Sequence, residues 1–333
     1  MFGERLAALV AERQSQLVVG IDPDPGALWP LGPEPGSSAR APRASAAQES
    51  GAVASADPGL TGGPARRMAE AVHAHCEALI DAVAPAALGV KFQLACFERL
   101  QAAGWQVLAQ LAGSARARGL LVIADGKRGD IPVSSAAYAQ ALFGGLGTPY
   151  GQIDGLGADL VTVNPLMGAD AIAPFLEAAR SRGGGALALV RTSNPGARDV
   201  QDLSLADGRP LWERLAELVD ALGAGAPVES GRERGDSLSD LGAVVGATAP
   251  AHLVRARELM PRAVFLAPGI GAQGGRVEEL SGAFASLAGP ARRASVLVTA
   301  ARSVADAHLS HGGAPAAAAR AEAERLRAAA WEL

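Results

Sequence analysis

Charged side chains stand at the ends of several apolar runs. Asp22 closes LVVGID, Lys91 lies within LGVKFQ, and Asp125 ends LLVIAD and opens Asp125-Gly-Lys127-Arg-Gly-Asp130. A run of Val, Ile and Leu flowing into D-x-K-x-x-D sets two acids around one amine. Alternate side chains of an extended segment share a face, so Asp125 and Lys127 can meet as an ion pair. Burying such charges is costly unless each has a partner. The group is therefore either a salt-bridge network at a strand end or an electrostatic device acting on a bound molecule. Singly, the residues have plainer uses. Asp22, followed by Pro, could cap a turn, and Lys91 could extend its ammonium out of an apolar wall. Matched positions on successive runs favour a catalytic array.

Two later segments offer an anion site. Pro268-Gly-Ile-Gly271-Ala-Gln273-Gly-Gly follows one apolar run, and Thr299-Ala-Ala-Arg302-Ser closes the next. Glycines let main-chain N–H groups approach an anion closely. An Arg supplies two donors to a phosphate. Either loop alone reads as an ordinary turn. Together, after the last two strands of a barrel, they occupy the usual phosphate position of that fold.

The elements that must hold these residues are eight apolar runs: Leu17–Asp22, Leu88–Gln93, Leu120–Asp125, Asp159–Asn164, Ala186–Arg191, Leu241–Gly246, Ala263–Ala267 and Ser295–Thr299. Such runs suit parallel strands buried on both faces. Helical periodicity lies between them; Met68, Val72, Cys76, Leu79, Ile80 and Val83 make one stripe. Strands alternating with helices indicate a parallel sheet, and eight such units favour closure into a (β/α)8 TIM barrel. A helix near residues 2–14 is expected to cover the barrel bottom, and an Ala/Glu/Arg-rich helix at 315–331 to close the chain. The 333 residues are expected to form a single domain, since such a barrel needs roughly 250 and tolerates insertions. Residues 27–66 are dense in Pro, Gly, Ser and Ala and read as a mobile or disordered insertion after strand one. Smaller Gly-rich insertions fall at 144–157 and 223–240.

Composition narrows the function classes. The chain is 49% hydrophobic, carries a net charge of −4 and has 4% aromatic residues, with no basic stripe to engage nucleic acid. No stretch approaches the roughly 20 apolar residues of a membrane span, and Glu4, Arg5, Glu12 and Arg13 interrupt any secretory signal. Cys76 and Cys96 are not a CxxC pair and read as reduced thiols, which places the protein in the cytoplasm. His73 and His75 do not share a helical face, and His308 and His311 have no strand-end carboxylate with them. No metal site is expected.

These segments together resemble the orotidine 5′-phosphate decarboxylases, the longer bacterial subgroup in particular. The similar stretches are FGERLAALVAERQSQLVVGIDPDP, VKFQLACFE, LVIADGKRGDIPVSSAAYA, TVNPLMGADA, VRTSNPGA, GAVVGATAP, FLAPGIGAQGG and VTAARSV. D-x-K-x-x-D alone is shared with related sugar-phosphate decarboxylases and synthases; the conjunction is specific. The resemblance implies a cofactor-free conversion of orotidine 5′-phosphate to UMP. It implies that Lys91, Asp125, Lys127 and Asp130 form an alternating charge array, with Asp130 coming from the neighbouring subunit of a homodimer. Asp22 and Lys91 would hold ribose hydroxyls, and Ser134 of the neighbour would support the ribose. Ser193 would contact the pyrimidine. Gln273 and Arg302 would bind phosphate, helped by the Pro268–Gly271 backbone. Gly126 stands where Ala or Phe is more usual and Phe92 where Pro is common; neither change removes a functional group. Two other readings stay open. One is a metal-dependent sugar-phosphate decarboxylase or aldolase built on the same array. The other is a non-catalytic phosphate-binding barrel.

Overall fold

Each apolar run becomes a strand because both of its faces are covered. The structure, a computed structural model, describes residues 2–30, 63–223, 237–271 and 273–333. The strands are β1 (Leu17–Ile21), β2 (Gly89–Gln93), β3 (Leu121–Arg128), β4 (Leu146–Thr148), β5 (Gly151–Ile153), β6 (Leu160–Val163), β7 (Gly185–Arg191), β8 (Leu241–Val245), β9 (Phe265–Pro268) and β10 (Val296–Ala300). All but β4 and β5 close a parallel barrel in the order β1-β10-β9-β8-β7-β6-β3-β2. The sequence expectation of a (β/α)8 barrel is met. The helices are α1 (Phe2–Arg13), α2 (Pro64–Val83), α3 (Leu94–Glu98), α4 (Gln101–Ala117), α5 (Pro132–Phe143), α6 (Ala169–Ser181), α7 (Leu211–Gly223), α8 (Pro250–Leu259), α9 (Gly289–Ala294), α10 (Arg302–Ala305), α11 (Ala307–His311) and α12 (Pro315–Trp331).

Two apolar clusters divide the core. One lies between the strands and the surrounding helices; it takes in Val72, Cys76, Leu79, Ile80 and Val83 from the expected stripe, with Met68 packed at its edge. The other fills the barrel interior, where Val18, Ile123, Leu160, Leu187, Val264 and Leu297 meet Phe2, Leu6 and Val10 of α1. The N-terminal helix thus plugs the bottom. With the lower interior packed by side chains, the open end at the strand C-termini is left for polar groups.

The interruptions differ from their expected form. Residues 144–157 contain the antiparallel hairpin β4–β5, with Leu146 opposite Ile153. Most of the expected 27–66 insertion, 31–62, and the 224–236 part of the third insertion lie outside the described residues. The ends of 27–66 are structured. Trp29 is 5% exposed, and α2 already begins at Pro64, with Pro in the first turn where it lacks no needed donor.

Candidate active site

Strand ends converge on a cavity of about 530 Å³ whose walls include Asp22, Lys91, Asp125, Lys127, Ser193, Pro268, Gln273 and Arg302. Register explains the grouping. Gly20 pairs with Lys91, and Gln93 pairs with Asp125, so the inward-facing residues of β1, β2 and β3 end at one level. Asp22 follows directly on β1.

The charges form a chain. Lys91 Nζ donates to Asp125 Oδ2 at 2.7 Å and lies 3.6 Å from Asp22 Oδ1. Lys127 Nζ donates to Asp125 Oδ1, also at 2.7 Å. Burial by itself pushes the Lys91 ammonium down, but the carboxylates of Asp125 and Asp22 outweigh it and hold the group above its ordinary value. Burial likewise pushes Asp125 up, and the ammonium groups of Lys91 and Lys127 overcome this to hold it at about 2. Lys91 and Asp125 are therefore both charged at neutral pH. The turn-capping use of Asp22 is taken by its neighbour, since Asp24 Oδ1 accepts the Gly26 N–H at 3.0 Å.

Lys127 does not sit on a regular strand. Its φ is 50°, and the β3–β6 ladder shifts register between Ala124 and Arg128. A side chain other than Gly in the left-handed region is strained, and such residues cluster at functional sites. The Asp125–Lys127 pair forms by way of this bulge and not by simple alternation. Next to it, Arg128 pairs with Glu98 of α3 and stacks over Tyr138 of α5 at 5.3 Å.

The anion end is assembled from two loops. Arg302 stands at the rim with no carboxylate partner among the described residues. Gln273 joins it in the cavity wall from the Gly-rich turn. Gly271 is placed in the turn itself and not in the cavity wall: its φ is 77°, and its N–H donates to Gly275 O at 3.0 Å. A Cβ there would lie 2.7 Å from the Ser303 side chain, so glycine lets the two loops close on each other. Ser193 is pressed just as tightly on Gly246, where an added Cβ would come 2.9 Å from its Cα.

Asp130 and Ser134 are not in the walls of the chain's own cavity. Asp130 Oδ1 accepts the Ile131 N–H at 2.7 Å, and Ser135 Oγ donates to Asp130 O at 2.8 Å. Exposed Ile131 and Val133 flank them. Several wall residues are given no role by the sequence reading: Gln93, Thr162, Asn194, Gln201 and Thr299. Gln201 braces the Ser193 loop, its Oε1 accepting the Thr192 N–H at 2.9 Å. Cys76 is buried, and burial pushes its thiol up, consistent with packing. Among the described residues, no cluster of three or more His, Cys, Asp or Glu is arranged to hold a metal ion, and no helix is long and apolar enough to cross a membrane.

A family model described as orotidine 5′-phosphate decarboxylase / HUMPS family matches residues 16–318. The chain is 35% identical over 326 residues to the orotidine 5′-phosphate decarboxylase of Roseiflexus castenholzii, spanning 98% of this chain and 96% of that protein. It is 44% identical over 206 residues to the enzyme of the same name from Deinococcus radiodurans, spanning 62% and 68% of the two chains. Among solved structures it is similar to the OMP decarboxylase of Leishmania donovani, with a TM-score of 0.65, 27% identity and 98% of each chain covered.

Proposed function

Because the chain belongs to the orotidine 5′-phosphate decarboxylase / HUMPS family, we propose that its Lys91–Asp125–Lys127 chain carries out the decarboxylation of orotidine 5′-phosphate to UMP. The observation that carries this reading is the Lys127 ammonium, held 2.7 Å from Asp125 at the mouth of a barrel whose far rim presents Arg302, which has no carboxylate partner among the described residues.

The chemistry follows from the charges. Breaking the C6–carboxylate bond leaves its electron pair on C6, where the pyrimidine offers no good sink. Each tenfold in rate requires about 1.4 kcal/mol of extra stabilisation at the transition state. A fixed ammonium beside C6 stabilises the developing carbanion more than the substrate, whose charge lies out on the carboxylate. Lys127 then gives its proton to C6 and regains one from water. Asp125 keeps Lys127 charged and oriented, and Lys91 keeps Asp125 ionised at the other oxygen. Asp22 and Lys91 take ribose hydroxyls. Ser193 takes the pyrimidine edge. Gln273 and Arg302, with the Pro268–Gly271 turn, hold the phosphate, and that remote binding fixes the base over Lys127. The scheme needs no cofactor.

The array is completed by a second copy of the chain. Asp130 and Ser134 lie outside their own cavity and beside exposed Ile131 and Val133, an arrangement that suits donation into a neighbour's site in a two-fold dimer. The free Cys76 and Cys96 fit a cytoplasmic setting.

The test is loss of orotidine 5′-phosphate absorbance with purified protein in EDTA. Full turnover is expected; no turnover with or without added divalent metal overturns the assignment. Mixing inactive Asp130→Ala with inactive Lys127→Ala should restore turnover, because a mixed dimer has one site with both groups. No recovery, despite exchange of subunits, would place Asp130 in its own chain's site or outside catalysis.

A further inference from the structure

Thr162 belongs to none of the charged motifs, yet it bonds to two of their residues. It is 1% exposed on β6 and forms part of the cavity wall. Between the pairs Ala124–Val161 and Arg128–Val163, Asp125, Gly126 and Lys127 face the single residue Thr162 across the ladder. A bulge of this kind leaves main-chain groups without strand partners. Thr162 Oγ1 accepts the Lys127 N–H at 2.9 Å. With that lone pair occupied, its one proton is donated to Asp125 Oδ1 at 2.8 Å. The same carboxylate oxygen receives Lys127 Nζ at 2.7 Å.

We propose that Thr162 is a positioning residue for the decarboxylation, tying the Asp125 carboxylate and the strained Lys127 backbone together so that the ammonium stays aimed into the cavity. The inference rests on Lys127 being the proton donor. Lys127 has a long stem with 42% of its side chain exposed, and Asp125 is its carboxylate partner among the described residues. Its head is therefore located by the direction of Asp125 Oδ1 and by the angle at which the backbone launches the stem. Thr162 sets both. A left-handed φ persists at a residue such as Lys127 only where surrounding bonds over-determine it. Valine has the same branched shape as threonine and offers neither bond. Serine keeps the hydroxyl and loses only a methyl.

The experiment compares Thr162→Val, Thr162→Ser and Lys127→Ala by kcat and KM for orotidine 5′-phosphate, by UMP affinity and by thermal unfolding. Thr162→Val should lower kcat on the order of 10²-fold, the usual cost of a displaced catalytic group. Its KM and UMP affinity should stay within about threefold, because phosphate and ribose are held by other residues. Thr162→Ser should regain turnover to within about threefold of the parent. Wild-type kcat in Thr162→Val overturns the inference. So does a loss of UMP affinity as large as the loss of turnover, or a serine variant as poor as the valine one. Lys127→Ala separates the two levels. If it turns over normally, the proton-donor reading fails and takes this one with it. If it is inactive while Thr162→Val is normal, only the role of Thr162 fails.

Discussion

Two buried cations sit at opposite ends of the barrel and are satisfied in different ways. Lys91 is 6% exposed at the cavity and Arg257, on α8, is 7% exposed. Arg257 donates to the carbonyls of Ala283, Met260, Ala263 and Ser295 at 2.7 to 3.2 Å, all in segments leading into β9 and β10. Its guanidinium lies 3.8 Å over the Phe265 ring, and no carboxylate pairs with it among the described residues. Burial lowers it to about 9, which leaves it charged at neutral pH. Lys91 has two carboxylates and is held above its ordinary value. Neutral dipoles suffice where a cation has only to tie loop ends together. Full countercharges appear where, in the proposed mechanism, the cations must stay ionised beside a changing substrate charge.

That division predicts a double dissociation. Lys127→Ala at the upper end should cut turnover by on the order of 10⁴-fold, combining loss of the proposed proton donor and of its electrostatic stabilisation. Its stability should move by less than about 1 kcal/mol, since the ammonium is partly solvated. Arg257→Met at the lower end should do the reverse. Four carbonyls lose their donor, and unfolding free energy should fall by about 3 kcal/mol, while kcat per folded molecule stays the same. Denaturant titration alongside steady-state kinetics reads both. A turnover defect in Arg257→Met that survives correction for folded fraction would break the comparison.

What the sequence disclosed follows the same line. Apolar runs revealed the barrel strands because parallel strands are apolar on both faces, and strand-end charges revealed Lys91, Asp125 and Lys127. Thr162 was not legible, because its importance comes from the interrupted ladder on the neighbouring strand and not from its own surroundings in sequence. Gln201 was hidden for a similar reason: it reaches the cavity wall only through the fold of the loop that also carries Ser193. Trp29 lies in a segment whose composition reads as an insertion, yet one large aromatic was enough to fix its first residues. The Gly144–Gly157 stretch read as an interruption, but Leu146 and Ile153 pair across a hairpin of their own. Arg257 stands in the charged run Arg255-Ala-Arg257-Glu258, which reads as an exposed helix face and carries no signal that it would be buried.

Acid titration sharpens the comparison from the side of Asp125. Its folded value of about 2 lies below the 3.8 of an ordinary aspartate. A depressed carboxyl stabilises the fold above the unfolded value, and that contribution disappears as pH falls through the folded one. Between about pH 5 and pH 2, the parent should lose about 2 kcal/mol more stability than Asp125→Asn, which has no carboxyl to protonate. Parallel stability curves for the two proteins would mean that the ion chain contributes nothing through this group. Arg257→Met should track the parent across the same range, because among the described residues no acid is coupled to that cation.

The smallest effect concerns a group at the upper end that has no catalytic part. Trp29 follows β1, and its Nε1–H donates to Ala305 O at 2.9 Å, beyond β10. Its main-chain N–H donates to His75 Nδ1 at 3.1 Å, and the two rings meet edge-on at 5.1 Å. That acceptor requires a neutral imidazole nitrogen, and burial lowers His75 in the matching direction. Trp29→Phe keeps an aromatic ring and loses the indole donor, so it should cost about 1 kcal/mol. Neither Ala305 nor His75 lies in the cavity wall, so kcat and KM should not change. If turnover falls with Trp29→Phe while the melting temperature holds, the start of the segment after β1 bears on Asp22. The upper end would then extend its functional shell out to a tryptophan that the charge pattern alone assigns to packing.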